Sequence, residues 1–153
     1  MMVDIHEPLK RVLLVEDDPG IRAVSTAALE LIGALTVCAC ASPEQALASM
    51  ADFAPQLVVT DVMMAGLDGP GLIERLRQDP EHANIPVIFV TALVDGVAQA
   101  RLRSVAPLGI ISKPFDPLTL VARIRELWAT RSLDQSALMS GGSGSAMVER
   151  KKR

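Results

Sequence analysis

An α/β fold, in which helices cover both faces of a parallel sheet, is the architecture that this sequence predicts. Short continuous apolar runs, typical of strands buried on both faces, alternate five times with segments whose apolar residues recur at helical spacing. Half of the 153 residues are hydrophobic, and residues 1–132 are enough for one domain with a sizeable core. Because parallel strands are joined by crossovers, this alternation indicates a doubly wound, five-stranded sheet.

The predicted strands are followed by helices whose first residues are marked in the sequence. The strands cover residues 11–16, 35–41, 57–61, 86–91 and 109–112. Asp18 and Ser42 are typical N-cap residues, each followed by a proline, and Gln45 completes a capping box with Ser42. The last helix begins at Asp116 and carries an apolar stripe. The stripe consists of Leu120, Val121, Ile124, Leu127 and Trp128.

The composition excludes several classes of protein. With a net charge of −3, the chain has no general attraction to nucleic acid or to anionic membranes, so we expect neither direct DNA binding nor membrane binding. Aromatic residues make up 3% of the chain, too few for a platform that stacks bases. Residues 1–10 lack the apolar segment of a signal peptide, and the most apolar stretch, 26–41, is shorter than a membrane span. These features indicate a soluble protein, and the reduced cysteines expected below are consistent with a cytoplasmic location.

The chain contains two cysteines, Cys38 and Cys40. On a strand both point to the same face, at a spacing poorly suited to a disulfide. Since His6 and His82 are the only histidines, the sequence offers no zinc-ligand set. We expect two buried, reduced core cysteines.

Residues 133–153 differ in character from the rest of the chain. They contain a Gly/Ser-rich run and a basic end, a composition typical of a flexible tail. This tail carries four basic and two acidic residues, so the preceding 132 residues have a net charge of −5. The predicted domain is therefore more acidic than the whole chain.

Polar side chains follow four of the predicted strands at the point where each strand ends. They are Glu16, Asp17 and Asp18 after the first strand, Asp61 in the third, Thr91 in the fourth and Lys113 after the fifth. In an open parallel sheet, ligands bind outside the carboxyl ends of the strands, near the point where strand order reverses. If these four strands are neighbours, as in the order 2-1-3-4-5, the side chains converge in one pocket.

The residue types in this pocket favour transfer of a phosphoryl group onto a carboxylate. Glu16, Asp17 and Asp61 repel one another unless a proton or a cation intervenes. Carboxylate oxygens suit Mg²⁺, which often binds beside a phosphate. Lys113 supplies a positive charge and Thr91 a hydroxyl for phosphoryl oxygens. Each residue alone is common at a strand end, so the prediction depends on the ordered set.

Four segments resemble the receiver domain of two-component response regulators, and the resemblance spans about residues 10–131. The segments are VLLVEDDP at 12–19, PQLVVTDVMMAGLDG at 55–69, PVIFVTA at 86–92 and SKPF at 112–115. The resemblance implies a flavodoxin-like receiver fold with strand order 2-1-3-4-5. It also implies a signalling switch, a phosphoacceptor protein that assists its own phosphorylation and dephosphorylation and is not an enzyme acting on other substrates.

By position, the resemblance implies a role for each residue of the set. Asp61 corresponds to the phosphoacceptor, and Thr91 and Lys113 to the residues that contact the phosphoryl group. Glu16 and Asp17 correspond to the acidic pair that holds Mg²⁺.

Two more residues take roles from the resemblance. The backbone carbonyl of Met63 would be a further Mg²⁺ ligand beside Asp61, and the Lys113–Pro114 bond resembles one that is cis in this family. The implied partners are a histidine kinase or a histidine phosphotransfer protein, and a downstream protein whose binding changes on phosphorylation.

The sequence departs from the family pattern at four positions. Ala65 stands where the family commonly has proline, and Ile110 where it often has the aromatic residue that swings inward on phosphorylation. Met63 and Leu93 stand beside the site where other members carry polar residues that assist water. Because neither side chain can orient a nucleophilic water, we expect slow self-dephosphorylation.

Other interpretations stay open on the sequence alone. The chain could be a receiver fragment of a longer regulator or a pseudo-receiver that only binds partners. An aspartyl-phosphate phosphatase would need an acid at Met63, and a flavin binder would be disfavoured by the acidic pair after strand one. Four arginines are either a docking face for an acidic partner or a solvated surface. They are Arg101, Arg103, Arg123 and Arg125.

Overall fold

The computed structural model describes residues 7–92 and 96–141, with side chains described to residue 131. The strands are β1 (Arg11–Val15), β2 (Thr36–Cys40), β3 (Leu57–Asp61), β4 (Val87–Thr91) and β5 (Gly109–Ser112). The helices are α1 (Pro19–Ala27), α2 (Pro43–Phe53), α3 (Gly69–Arg77), α4 (Gly96–Ser104) and α5 (Pro117–Gly141). A π-helical turn, Ala28–Ile32, extends α1 as far as Gly33. The five predicted strand–helix alternations are confirmed.

The five strands form one sheet in the order β2-β1-β3-β4-β5, and every neighbouring pair is parallel. The predicted doubly wound fold and its strand order are therefore confirmed. The register aligns Val15 with Thr60 and Asp61 with Val90, and Thr91 aligns with Ser112. The carboxyl ends of four adjacent strands thus lie at one edge of the sheet.

Two apolar clusters, one on each face of the sheet, form the core. Alternate residues of β1 point into different clusters: Val12 and Leu14 into one, Leu13 and Val15 into the other. The first cluster also holds the predicted stripe of α5. All five residues of that stripe are buried: Leu120, Val121, Ile124, Leu127 and Trp128.

The predicted helix starts are found with one local difference. Asp18 Oδ1 accepts the N–H of Ile21 at 2.9 Å, and Ser42 Oγ accepts that of Gln45 at 3.2 Å. The Gln45 side chain accepts the N–H of Ala41, at 2.8 Å, rather than that of Ser42. The reciprocal half of the capping box is thus shifted by one residue.

The last helix is longer than the sequence pattern indicated. It continues to Gly141, nine residues into the segment predicted as a tail. Residues 133–139 include Leu, Gln, Ala and Met, which have high helix propensity, and the helix ends at the first of two glycines. The remainder of the predicted tail, 142–153, lies outside the described residues.

The two cysteines are free, and they point to the same face of β2 as predicted. Their Sγ atoms are 3.9 Å apart, too far for a disulfide bond. Cys40 is buried as expected, whereas Cys38 is only half-buried, so the expectation of two buried cysteines is wrong for Cys38, which lies on an edge strand with a neighbour on one side only. The chain contains two histidines, and one of them, His6, lies outside the described residues. Across the described part of the chain, no helix is both long and apolar enough to span a membrane.

Candidate functional site

Three carboxylates meet at the carboxyl edge of the sheet. Glu16 and Asp17 follow β1, and Asp61 ends the neighbouring strand β3. One oxygen from each of the three residues lies within 4.8 Å of the others. Glu16 and Asp61 are buried and Asp17 is exposed, so the cluster is open on the side of Asp17.

The lysine that follows β5 joins two of these carboxylates. Lys113 Nζ donates to Glu16 Oε1 at 2.8 Å and to Asp61 Oδ2 at 3.1 Å. The neighbouring strand β4 helps to position the lysine, because the Lys113 N–H donates to the carbonyl of Thr91 at 2.9 Å. The Lys113–Pro114 bond that follows is cis, as the resemblance implied.

The backbone orients the Asp61 carboxylate. Its Oδ1 accepts the N–H of Val62 at 2.7 Å, with a longer contact of 3.4 Å to the N–H of Met63. Oδ2 faces Lys113. One oxygen is thus bound to the main chain and the other to an ammonium group, so the carboxylate has a defined orientation.

The charges of the cluster affect the ionisation of its members. Burial raises the pKa of Glu16, although hydrogen bonds from Lys113 and from the Asp18 N–H oppose the change. Burial alone would lower the pKa of Lys113, but its hydrogen bonds to Glu16 and Asp61 and their negative charges raise it above the ordinary value. The lysine therefore stays charged at neutral pH, facing more negative charge than it can neutralise.

This excess of negative charge fits a divalent cation. Lys113 pairs with two of the three carboxylates, Glu16 and Asp61, and hard oxygen donors of this kind suit Mg²⁺. The side chain of Met63 is 62% exposed beside them, and its carbonyl belongs to the loop that follows Asp61. The residues predicted from the sequence to hold Mg²⁺ are thus compatible with that ion.

The other predicted residues occupy distinct positions. Thr91 is buried at the end of β4, one strand from Asp61. Ile110, in the position of the aromatic residue, is half-buried against the cluster on the Phe89 face of the sheet. Ala65 lies exposed in the loop after β3, and Leu93 lies outside the described residues.

Three of the four arginines contact a carboxylate or a backbone carbonyl of the chain. Arg101 pairs with Asp68, and Arg123 pairs with Glu126 on its own helix. Arg125 donates to the carbonyl of Gly33 at 2.7 Å. Since these guanidinium groups bind within the chain, the prediction of a common docking face is not favoured.

Two residues beside the site were missed by the sequence analysis. A Cβ atom at Gly69 would lie 2.5 Å from the Asp61 carbonyl oxygen, so only glycine allows this approach to the main chain of Asp61. Asp68 caps α3 by accepting the N–H of Gly71 at 2.9 Å. An Asp-Gly pair before a helix was a usable signal for the cap.

Known proteins similar to this chain were found by sequence and by structure. Residues 12–125 match the family description "Response regulator receiver domain". The chain is 35% identical over 145 residues to the response regulator Rre1 of Synechocystis sp., a match that covers 94% of this chain and 60% of that protein. It is 34% identical over 116 residues to the phosphate regulon transcriptional regulatory protein PhoB of Pseudomonas aeruginosa, covering 76% of this chain and 50% of that protein.

A solved structure agrees with both. The signal receiver domain of a modulated diguanylate cyclase from Desulfovibrio desulfuricans superposes with a TM-score of 0.71 at 30% identity, covering 83% of this chain and 99% of that one. The chain spans about half to three fifths of the length of the two relatives matched by sequence. From the extent of the family match and from these similarities, the chain belongs to the response regulator receiver domain family and contains a receiver domain of two-component signalling.

Proposed function

We propose that Asp61 accepts a phosphoryl group from a histidine kinase or a histidine phosphotransfer protein. In this step the bond from phosphorus to the donor imidazole breaks, the imidazole keeps the electron pair, and a bond forms to a carboxylate oxygen of Asp61. The observation that carries the proposal is the contact of Asp61 with Lys113 inside a three-carboxylate cluster.

The residues around Asp61 would perform separate tasks. The ammonium group of Lys113, already 3.1 Å from Oδ2, balances charge on the incoming phosphoryl oxygens. The hydroxyl of Thr91 is a donor for another of these oxygens. Backbone N–H groups after β3 hold the nucleophile in one orientation, which lowers the entropic cost of the transfer.

The proposed cofactor is Mg²⁺, held by Glu16, Asp17, Asp61 and the Met63 carbonyl. When bound, this ion neutralises charge between the carboxylates and the phosphoryl group. The three carboxylates around a single lysine support this assignment, because their mutual repulsion is relieved by a divalent cation.

The proposed output is a change in protein–protein interaction rather than turnover of a substrate. Phosphorylation adds negative charge at the edge of the sheet, which shifts the domain between two conformations with different binding surfaces. We also propose a cytoplasmic location and slow loss of the phosphoryl group, since the exposed Met63 side chain cannot position a water.

The direct test is intact-mass measurement after incubation with acetyl phosphate, with and without Mg²⁺. We expect wild-type protein to gain one phosphoryl group only with Mg²⁺, and Asp61→Asn to gain none. Asp52→Asn, at an exposed position on α2, is the matched control and should behave as wild type. Equal labelling of Asp61→Asn and wild type would contradict the proposal, as would a lack of labelling by both acetyl phosphate and a kinase.

A further inference from the structure

One ion pair joins α4 to the segment that follows the phosphoacceptor strand. Arg101 Nη1 donates to Asp68 Oδ2, and the two residues are 33 positions apart in the sequence. The other carboxylate oxygen, Oδ1, accepts the N–H of Gly71 and so caps α3. The side chains are 48% and 34% exposed, so the pair forms a link on the surface between α4 and the start of α3.

The acidic end of this link contacts the main chain of the phosphoacceptor through the next residue. The N–H of Gly69 donates to the Val62 carbonyl at 2.9 Å. A Cβ atom on Gly69 would lie 2.5 Å from the carbonyl oxygen of Asp61 and 3.0 Å from Val62 Cα. Because the backbones are already in contact here, a displacement of Asp68 would change the position of Asp61 and Val62.

At the other end of the link, α4 has few attachments to the core. Of its residues, all of which are described, only Leu102 is buried. A cavity of about 500 Å³ separates α4 from the loop after β3, and its lining includes Met63, Ala98 and Arg101. The ion pair therefore spans a gap that apolar packing does not fill.

We propose that Arg101 is a positioning residue for phosphorylation, acting through Asp68 and Gly69 on the backbone that orients Asp61. The inference rests on the proposed function, since it assigns a residue that supports the same transfer. Its consequence is that the rate at which Asp61 is phosphorylated depends on the ion pair between Arg101 and Asp68.

The test compares Arg101→Gln, Asp68→Asn and the double variant. Asparagine is as good an N-cap as aspartate, so Asp68→Asn removes the ion pair and keeps the cap on α3. The measurement is the rate of phosphorylation by acetyl phosphate with Mg²⁺, followed by intact mass. An exposed ion pair corresponds to about a two- to fivefold change, so each single variant should be slower by that factor. The double variant should be no slower than the slower single one, and Arg101→Lys should recover part of the rate.

Two controls separate positioning from charge and from folding. Arg101→Gln makes the site less attractive to the anionic donor and Asp68→Asn makes it more attractive, so a general charge effect would move the two rates in opposite directions. Arg103→Gln removes the same charge from the same helix, where the guanidinium donates to Gln99 Oε1 of α4, and should phosphorylate at the wild-type rate. Thermal unfolding of each variant shows the temperature range in which all the proteins are folded, and the rates are compared in that range. A purely structural role of Arg101 would lower the unfolding temperature and leave the rate of phosphorylation unchanged.

The outcomes distinguish this inference from the proposed function. If wild-type protein takes no phosphoryl group, both are wrong. If wild-type protein is phosphorylated but the two single variants keep its rate, change it in opposite directions, or slow it additively in the double variant, only the role of Arg101 is overturned.

Discussion

At the scale of single residues, Glu16 carries a carboxyl group that is buried at the site although burial disfavours its charged form. This residue is only 4% exposed, and burial raises the pKa of its carboxyl group even though Lys113 and the Asp18 N–H donate to it. Folding therefore disfavours the ionised form of this carboxyl group. Glu16 is one of the three carboxylates that we propose to hold Mg²⁺.

Replacing Glu16 by Gln should reduce the stabilisation that Mg²⁺ gives to the folded protein. Glutamine carries no charge and has one acceptor oxygen, so it can keep the hydrogen bond from Lys113 or the one from the Asp18 N–H, but not both. Without metal the relief of the buried charge and the loss of one hydrogen bond oppose each other, so the free energy of unfolding should change by less than about 1 kcal/mol. With millimolar Mg²⁺ the wild type should gain more stability than the variant, because binding to the folded state stabilises it by mass action. Thermal unfolding in chelator and in Mg²⁺ measures both changes.

The control for this prediction is Glu81→Gln, which removes the same charge at an exposed position far from the cluster in sequence. It should change neither the metal-free stability nor the gain from Mg²⁺. An equal gain from Mg²⁺ in wild type and Glu16→Gln would remove Glu16 from the metal site.

At the scale of elements, two glycines set how closely neighbouring segments approach, with different tolerance for substitution. A Cβ atom at Gly69 meets the backbone of Asp61, whereas one at Gly109 meets only the end of the Leu127 side chain, at 2.6 Å. A side chain can rotate away and a strand backbone cannot. We expect Gly69→Ala to cost about 3 kcal/mol of unfolding free energy and Gly109→Ala about 1 kcal/mol.

Urea denaturation of the two variants measures this order. Gly69→Ala should also slow phosphorylation of Asp61, while Gly109→Ala should not. A smaller loss of stability for Gly69→Ala than for Gly109→Ala would show that the main chain after β3 moves more easily than the geometry indicates.

The buried thiol of Cys40, on the edge strand β2, leads us to predict that the stability of the protein depends on pH in the alkaline range. Burial, with the charge and hydrogen bond of Cys38, raises the pKa of Cys40 from 9.0 to about 11. The unfolded chain thus loses this proton before the folded protein does, so stability is complete below pH 9 and falls as pH rises through 11. The loss should reach roughly 2–3 kcal/mol, since each pKa unit corresponds to about 1.4 kcal/mol.

Urea denaturation at pH 8 to 11 tests this prediction in wild type, Cys40→Ala and Cys38→Ala. Cys40→Ala should lose most of the slope, and Cys38→Ala should keep the part caused by burial. A slope that is the same in wild type and Cys40→Ala would assign the alkaline loss to other groups.

Sequence periodicity predicts features that depend on residues close together in the chain, and the fold confirms these local features. Strand ends, two helix caps and the buried stripe of α5 all follow from local patterns. The ion pair between Asp68 and Arg101 does not, because it joins residues 33 apart whose distance depends on how α4 packs. The need for glycine at position 69 is hidden for the same reason, since only the folded backbone brings it to Asp61.

At the scale of the whole molecule, the carboxyl ends and the amino ends of the strands carry different kinds of contacts. The carboxyl edge holds the acidic cluster and Lys113. At the amino edge, Trp128 Nε1 donates to the Glu7 carbonyl at 2.9 Å, and Gln56 Oε1 accepts the N–H of Arg11 at 2.8 Å. These contacts hold three segments together: the residues before β1, the residue before β3, and α5. The amino edge therefore contributes to the stability of the fold.

This division predicts that stability and phosphorylation can be changed separately. Trp128→Phe keeps most of the apolar volume of α5 but loses the hydrogen bond to Glu7, so the free energy of unfolding should fall by about 1–2 kcal/mol. The rate of Asp61 phosphorylation by acetyl phosphate should stay at the wild-type value, because the acidic cluster is built at the opposite edge. Leu118→Ala, at an exposed position of the same helix, should leave both quantities unchanged. A slower phosphorylation of Trp128→Phe, measured where the protein is fully folded, would instead mean that α5 transmits changes between the two edges.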